Sequence, residues 1–305
     1  MKILILKSDE DDFERYFSER MKRKNIDVYS AESKINGTIK RVIRKISCKL
    51  GILFIYGLYL NRWKYRLSEY DEIIIFDKDL NYSLCRWIKH TNQKCKIKIW
   101  YWNVPKIKTI RKFRNITEQY CFDAIFARNQ GIKYIPQFYI PEKSDQLSQH
   151  SFMGISYVGY DKDRYDKLSE FANKLDSENI YHEFRLLKEK GKYYPLQNNI
   201  ILIEKPMNYT DVLSLTKKYN CILELTIEKQ KGLTLRTMEA LFYDKKLITN
   251  NDAIESFPFY NSNNIYIIGK DSRSIKEFLT TPMKKIDNRI LFFYSYDNWL
   301  KRITK

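Results

Sequence analysis

The stretch QKGLTLRTMEAL, residues 230–241, together with Lys229 gathers Lys231 and Arg236 around Gly232, where the pattern predicts the start of a helix. Aligned peptide dipoles leave unpaired N–H groups and partial positive charge at such a start, so added cations raise the energy unless an anion joins them. Glycine at a strand-to-helix turn lets a phosphate approach the backbone. Thr234 adds a hydroxyl and Arg236 a forked charged donor, while Glu239, on the same helical face, can accept from ribose hydroxyls. The plainer alternative is that Arg236 and Glu239 only pair with each other at i,i+3. A second loop, SYVGYDKDRYDKL at 156–168, repeats the chemistry: Gly159 ends a strand, and Lys162 and Arg164 fall in the opening turn of a helix. The two loops are expected to converge on one diphosphate, unless Asp161 and Asp163 are ordinary first-turn acids and the second loop is structural.

Carboxylates at strand ends are the candidate general bases. Asp9, Asp11 and Asp12 follow the first apolar run, and Asp77 and Asp79 follow DEIIIF; either group can deprotonate a hydroxyl. Asp9 and Asp11 are preferred by position, with Asp77 the further candidate. Asn103, after IKIWYW, can orient an acceptor or simply cap a turn. His90, His150 and His182 are far apart and lack metal-ligand spacing. No G-x-S-x-G, Walker A or H-E-x-x-H motif occurs, so hydrolase and NTPase readings lack a site.

Short apolar runs that alternate with amphipathic segments must position these residues. In the first half they are KILIL (2–6), DVYS (27–30), DEIIIFD (71–77), KIKIWYW (96–102) and DAIFA (123–127), with helices expected near 11–24 and 81–91. After the polar, proline-containing stretch 136–151 the rhythm restarts with FMGISYVG (152–159), YHEFRLL (181–187), NIILIE (199–204), CILELT (221–226), KLITN (246–250) and NIYIIG (264–269). Helices are expected between them near 162–175, 208–219 and 233–243. Strands alternating with helices imply parallel sheets, hence an α/β chain of two Rossmann-like, doubly wound domains, 1–147 and 148–290. The amphipathic tail 291–305 is expected to return to the first domain as a helix.

At 305 residues the chain is long enough for two cores. Its 55 Lys and Arg against 37 Asp and Glu, a net +18, imply an anionic partner: phosphorylated substrates, a phospholipid face or nucleic acid. No nucleic-acid-binding motif is present, so that partner is not expected. Five scattered cysteines without a C-x-x-C pair argue against a disulfide framework or structural zinc and fit a reducing cytoplasm. The opening MKILILKS is too short for a signal peptide, and no run of apolar residues spans a bilayer. The segment 40–66 interleaves apolar and aromatic residues with Lys and Arg, the composition of a helix lying on an anionic membrane surface or of a core helix with solvated lysines.

YVGYDKDRY, QKGLTLRTMEAL and KKLITNN followed by FYNSNNIYII resemble the C-terminal domain of a bacterial glycosyltransferase family of GT-B type, found in capsule, lipopolysaccharide and exopolysaccharide gene clusters. YDEIIIFD and IKIWYWNVP are similar to the same family, so the resemblance covers most of the chain. It implies two domains facing a cleft, a nucleotide diphosphosugar on the second, a glycan or lipid-linked glycan acceptor on the first, and no bound metal or other cofactor. By position, it implies that Glu239 holds the ribose and that Gly232, Thr234, Arg236, Lys162 and Arg164 contact phosphate; Gly159 and Lys231 join these candidates from the residue reading of the two loops. Many such enzymes carry two glutamates eight positions apart; here Lys231 stands eight before Glu239. The triplet Asp77-Lys78-Asp79 also resembles the metal-binding D-x-D of GT-A glycosyltransferases, an alternative that the restart of the rhythm at 152 opposes. A non-catalytic nucleotide-binding partner of the same fold is the other alternative. The expected place is the cytoplasm, peripheral on the inner face of the cell membrane.

Overall fold

Every residue of ILIL and EIIIF is buried, as strands covered on both faces require, and both become neighbours in one parallel sheet. The computed structural model describes residues 1–142, 152–195, 199–226 and 232–305. It divides into two units, Met1–Gln137 with Tyr296–Lys305, and Phe138–Ser295. The first carries β1 (Ile3–Leu6), β2 (Ile26–Tyr29), β3 (Glu72–Phe76), β4 (Lys96–Tyr101), β5 (Glu118–Cys121) and β6 (Lys133–Tyr134), in the order β2-β1-β3-β4-β5-β6 with every pair parallel. The order reverses between β1 and β3.

The second unit carries β7 (Phe152–Tyr160), β8 (His182–Leu187), β9 (Ile200–Ile203), β10 (Tyr219–Glu224), β11 (Lys246–Thr249) and β12 (Ile265–Ile267). Its parallel order, β9-β8-β7-β10-β11-β12, is that of a dinucleotide-binding sheet, with the reversal between β7 and β10. Leu168 and Leu175 from the helix Tyr165–Ser177 pack with Phe184, Leu223 and Ile248 in its core. The chain therefore has a two-domain, Rossmann-like α/β fold of GT-B type. The GT-A alternative does not fit two separate sheets of this kind.

The last helix, Tyr296–Ile303, belongs to the first unit. Trp299 is 1% exposed and its ring lies 5.5 Å from that of Trp100 and 5.9 Å from Phe76. The Tyr296 hydroxyl donates to the Met21 carbonyl at 2.8 Å, and the buried Lys98, paired with Glu72, donates to the Ile303 carbonyl at 2.6 Å.

Local structure departs from expectation in three places. DAIFA is not a strand: Asp123 accepts from the Phe126 N–H at 2.9 Å and caps the helix Ala124–Gln130, and the strand is the preceding EQYC. An N-cap aspartate outweighs a short apolar run. The helix expected from 162 begins at Tyr165, because Lys162 and Asp163 adopt left-handed backbone, with φ of 41° and 61°. The units divide after Gln137, inside the stretch 136–151 expected to part them but ahead of the expected 147/148 bound, and 143–151 lies outside the described residues.

Candidate functional site

In open α/β sheets a ligand sits beyond the carboxyl ends of the strands where the order reverses. In the second unit that point is flanked by the residues after β7 and β10, the two loops singled out in the sequence. Lys231, with Lys229, lies outside the described residues. Burial pushes the Tyr157 phenol up, and the charges of Arg164 and Arg236, one from each loop, both pull it back. Arg164 donates to the Tyr160 carbonyl at 3.2 Å, while its Nε is buried and has no hydrogen-bond partner among the described residues. A buried charged donor without a partner is costly unless an acceptor arrives.

Several neighbours turn away from such a ligand. Asp161 is fully buried and accepts from the N–H groups of Arg164 and Tyr165 at 3.0 and 2.9 Å, so a protein carboxylate occupies the helix start where phosphate was expected. It is itself held by Lys192 and the Tyr194 hydroxyl, which bring its pKa below the usual carboxylate range although burial alone would raise it. Asp161 thus takes the capping part that the aspartate alternative gave it, and Lys162 is exposed over the Tyr160 ring. At Gly159, an added Cβ would meet the Tyr157 hydroxyl at 2.5 Å, so the glycine makes room for a tyrosine.

Thr234 caps the helix Leu235–Phe242, accepting from the Arg236 N–H at 3.0 Å, and donates to the buried Glu224 at the end of β10. Thr237 and Thr249 hydroxyls donate to the same carboxylate at 2.6 Å. Gly232 is buried just before this cap. Glu239 does not present itself to a ribose: it is fully buried, paired with Arg236, and accepts from the Tyr209 hydroxyl at 2.8 Å. Burial pushes this carboxyl up against the pull of Arg236 and Tyr209. The i,i+3 pair of the plainer alternative is formed, and Glu239 acts by holding Arg236.

The first unit has a cavity of about 790 Å³ beyond the ends of β1, β2 and β3, at its own reversal point. Asp9 lines it and accepts from the Ser30 hydroxyl at 2.5 Å. Asp11 does not line it: it caps the helix Asp12–Met21 through the Glu14 N–H at 2.8 Å and pairs with Lys78 at 2.8 Å. Asp77 faces Asn103, accepting from its N–H at 3.1 Å and its side-chain amide at 3.2 Å. Asp79, named in sequence with Asp77 but not preferred, is the member of that pair at the cavity. It lines the cavity, accepts from the N–H groups of Ser8 and Ala31, and is raised by burial to about 6. Beneath it Lys7, buried and paired with Glu14, is lowered by burial to about 8. Asp77 and Asp79 thus serve different backbone partners, and no group of three metal-ligating side chains forms among the described residues.

The opposite wall carries Lys34, Arg41 and Lys45, none ion-paired among the described residues, and Arg44, which forms a bidentate pair with Glu32 at 2.9 and 2.5 Å. Arg41, Arg44 and Lys45 come from the helix Thr38–Leu50, part of the segment 40–66 read in sequence as a membrane-surface helix or a core helix with solvated lysines.

No protein-family model and no curated protein sequence matches the chain. Solved structures do. The chain is similar to an alpha-glucosyltransferase in complex with UDP, at 10% identity and a TM-score of 0.52, covering 99% of each chain. It is also similar to a glycosyltransferase from Rickettsia africae, at 10% identity and a TM-score of 0.52, over 98% of this chain and 95% of that one. An alpha-glucosyltransferase in complex with UDP and a 13-mer DNA matches at 12% identity and a TM-score of 0.54, over 80% of this chain and 83% of that one. At such identities the likeness shows the fold.

Proposed function

We propose that this chain is a glycosyltransferase that moves a sugar from a nucleotide diphosphosugar to a hydroxyl of a bacterial surface-glycan intermediate, one carried on a lipid. The observation that carries the reading is the pair Arg164 and Arg236 at the β7/β10 reversal, with a buried Arg164 Nε that lacks a partner among the described residues. It is supported by the likeness in fold to glycosyltransferases, one of them solved with UDP. The two guanidinium groups would bind the diphosphate and stabilise it as it departs, a role for fixed positive charge that requires no metal ion. The acceptor would lie in the first unit's cavity, where Asp9 is the proposed base and Asp79, near 6, the second carboxylate in reach. The enzyme would work in the cytoplasm at the inner face of the membrane.

Metal-free calorimetry with UDP, GDP, CDP and dTDP on wild type and Arg164→Ala tests this. One diphosphate is expected to bind selectively, and the substitution to weaken it by about 1.5–3 kcal/mol, the range for a charged hydrogen bond. Binding of none, or equal binding by the variant, would remove the site.

A further inference from the structure

The helix Thr38–Leu50 is turned inside out for a protein core. Its polar side faces inward, with Ser47 buried and Arg44 held by Glu32, while Ile39, Val42, Ile43, Ile46 and Leu50 are exposed, Ile39 at 76%. Spacings of three and four place these five on one stripe. Gly51, in left-handed backbone with φ 69°, ends the helix, and Phe54 in the next helix, Leu53–Gly57, is 81% exposed. Arg41, Lys45 and Lys49, four apart, border the stripe along one side. Between Glu32 and Glu69 the chain has nine Lys and Arg and no Asp or Glu.

We infer that this face docks on an anionic lipid bilayer, with the isoleucine stripe and Phe54 in the acyl boundary and the row Arg41, Lys45, Lys49 among the headgroups. An exposed apolar stripe with a cationic border has the form of an interfacial helix. Charge argues against a second copy of the chain as the occupant, since pairing the face with itself would set the row Arg41, Lys45 and Lys49 against the same three cations. Arg41 and Lys45 also line the cavity of the first unit, so docking brings the mouth of that cavity to the headgroup layer. This surface stands whether or not the chain transfers sugar.

Flotation of the full chain with phosphatidylcholine vesicles, with and without phosphatidylglycerol, tests it. The wild type should float only with the anionic vesicles and be released by high salt. Ile43→Asp/Ile46→Asp and, separately, Phe54→Ser should each lower partitioning, the double variant by about tenfold or more given the apolar area lost. Because these side chains are exposed, the melting temperature and nucleotide binding should stay at wild-type values, which separates this outcome from that of the donor site. A wild type that stays unbound, variants that bind equally, or a solution dimer that the variants convert to monomer would each overturn the inference.

Discussion

At the residue scale, the Arg236–Glu239 pair decides how the proposed donor site can be probed. Glu239 is fully buried, so removing its cation leaves a buried charge unpaired. Arg236→Ala is therefore expected to cost about 3–5 kcal/mol of stability, and Arg236→Met with Glu239→Gln to recover most of it, in urea melts. Equal losses in the two variants would contradict the pairing. Lys7 gives a pH signature. Its folded pKa of about 8 lies below the ordinary lysine value, so the unfolded chain holds more protons between about 8 and 10.4 and stability should rise with pH across that window. The 13Cε resonance of Lys7 should titrate near 8; a midpoint at the ordinary lysine value would contradict its burial. Arg164 and Arg236 were legible in sequence as cations beside strand-end loops. The hydroxyl cluster on Glu224 was not, because Thr234, Thr237 and Thr249 meet that carboxylate only once β10, β11 and the intervening helix are packed.

At the element scale, strands were the most legible feature, since a parallel strand buried on both faces reads as an uninterrupted apolar run. DAIFA failed for a physical reason: its aspartate supplies the cap that turns the run into a helix. The helix Thr38–Leu50 shows the limit of periodicity, which reveals an amphipathic stripe but not which face meets the core. The closing helix makes a stability prediction. Trp299→Ala removes a buried indole packed on Trp100 and Phe76 and should destabilise the first unit by about 3–5 kcal/mol, read by denaturant unfolding. A loss below about 1 kcal/mol would mean that the helix is only loosely attached.

At the scale of the whole molecule, each unit has its own sheet and its own reversal point, and the candidate groups cluster at both. What the sequence could not show was the division of labour within each loop, where Asp161 and Thr234 occupy helix starts that composition alone suggested for phosphate. The proposed site rests on two arginines rather than on the helix dipole. Its most direct measurement is a double-substitution cycle for binding of the preferred nucleoside diphosphate and of the matching monophosphate, with Arg164→Ala crossed against Arg236→Met/Glu239→Gln. The account predicts that wild type favours the diphosphate, that each change erodes this preference, and that the two are coupled by at least about 0.5 kcal/mol because they share one ligand. Equal affinity for mono- and diphosphate, or strictly additive losses, would contradict a diphosphate held between Arg164 and Arg236.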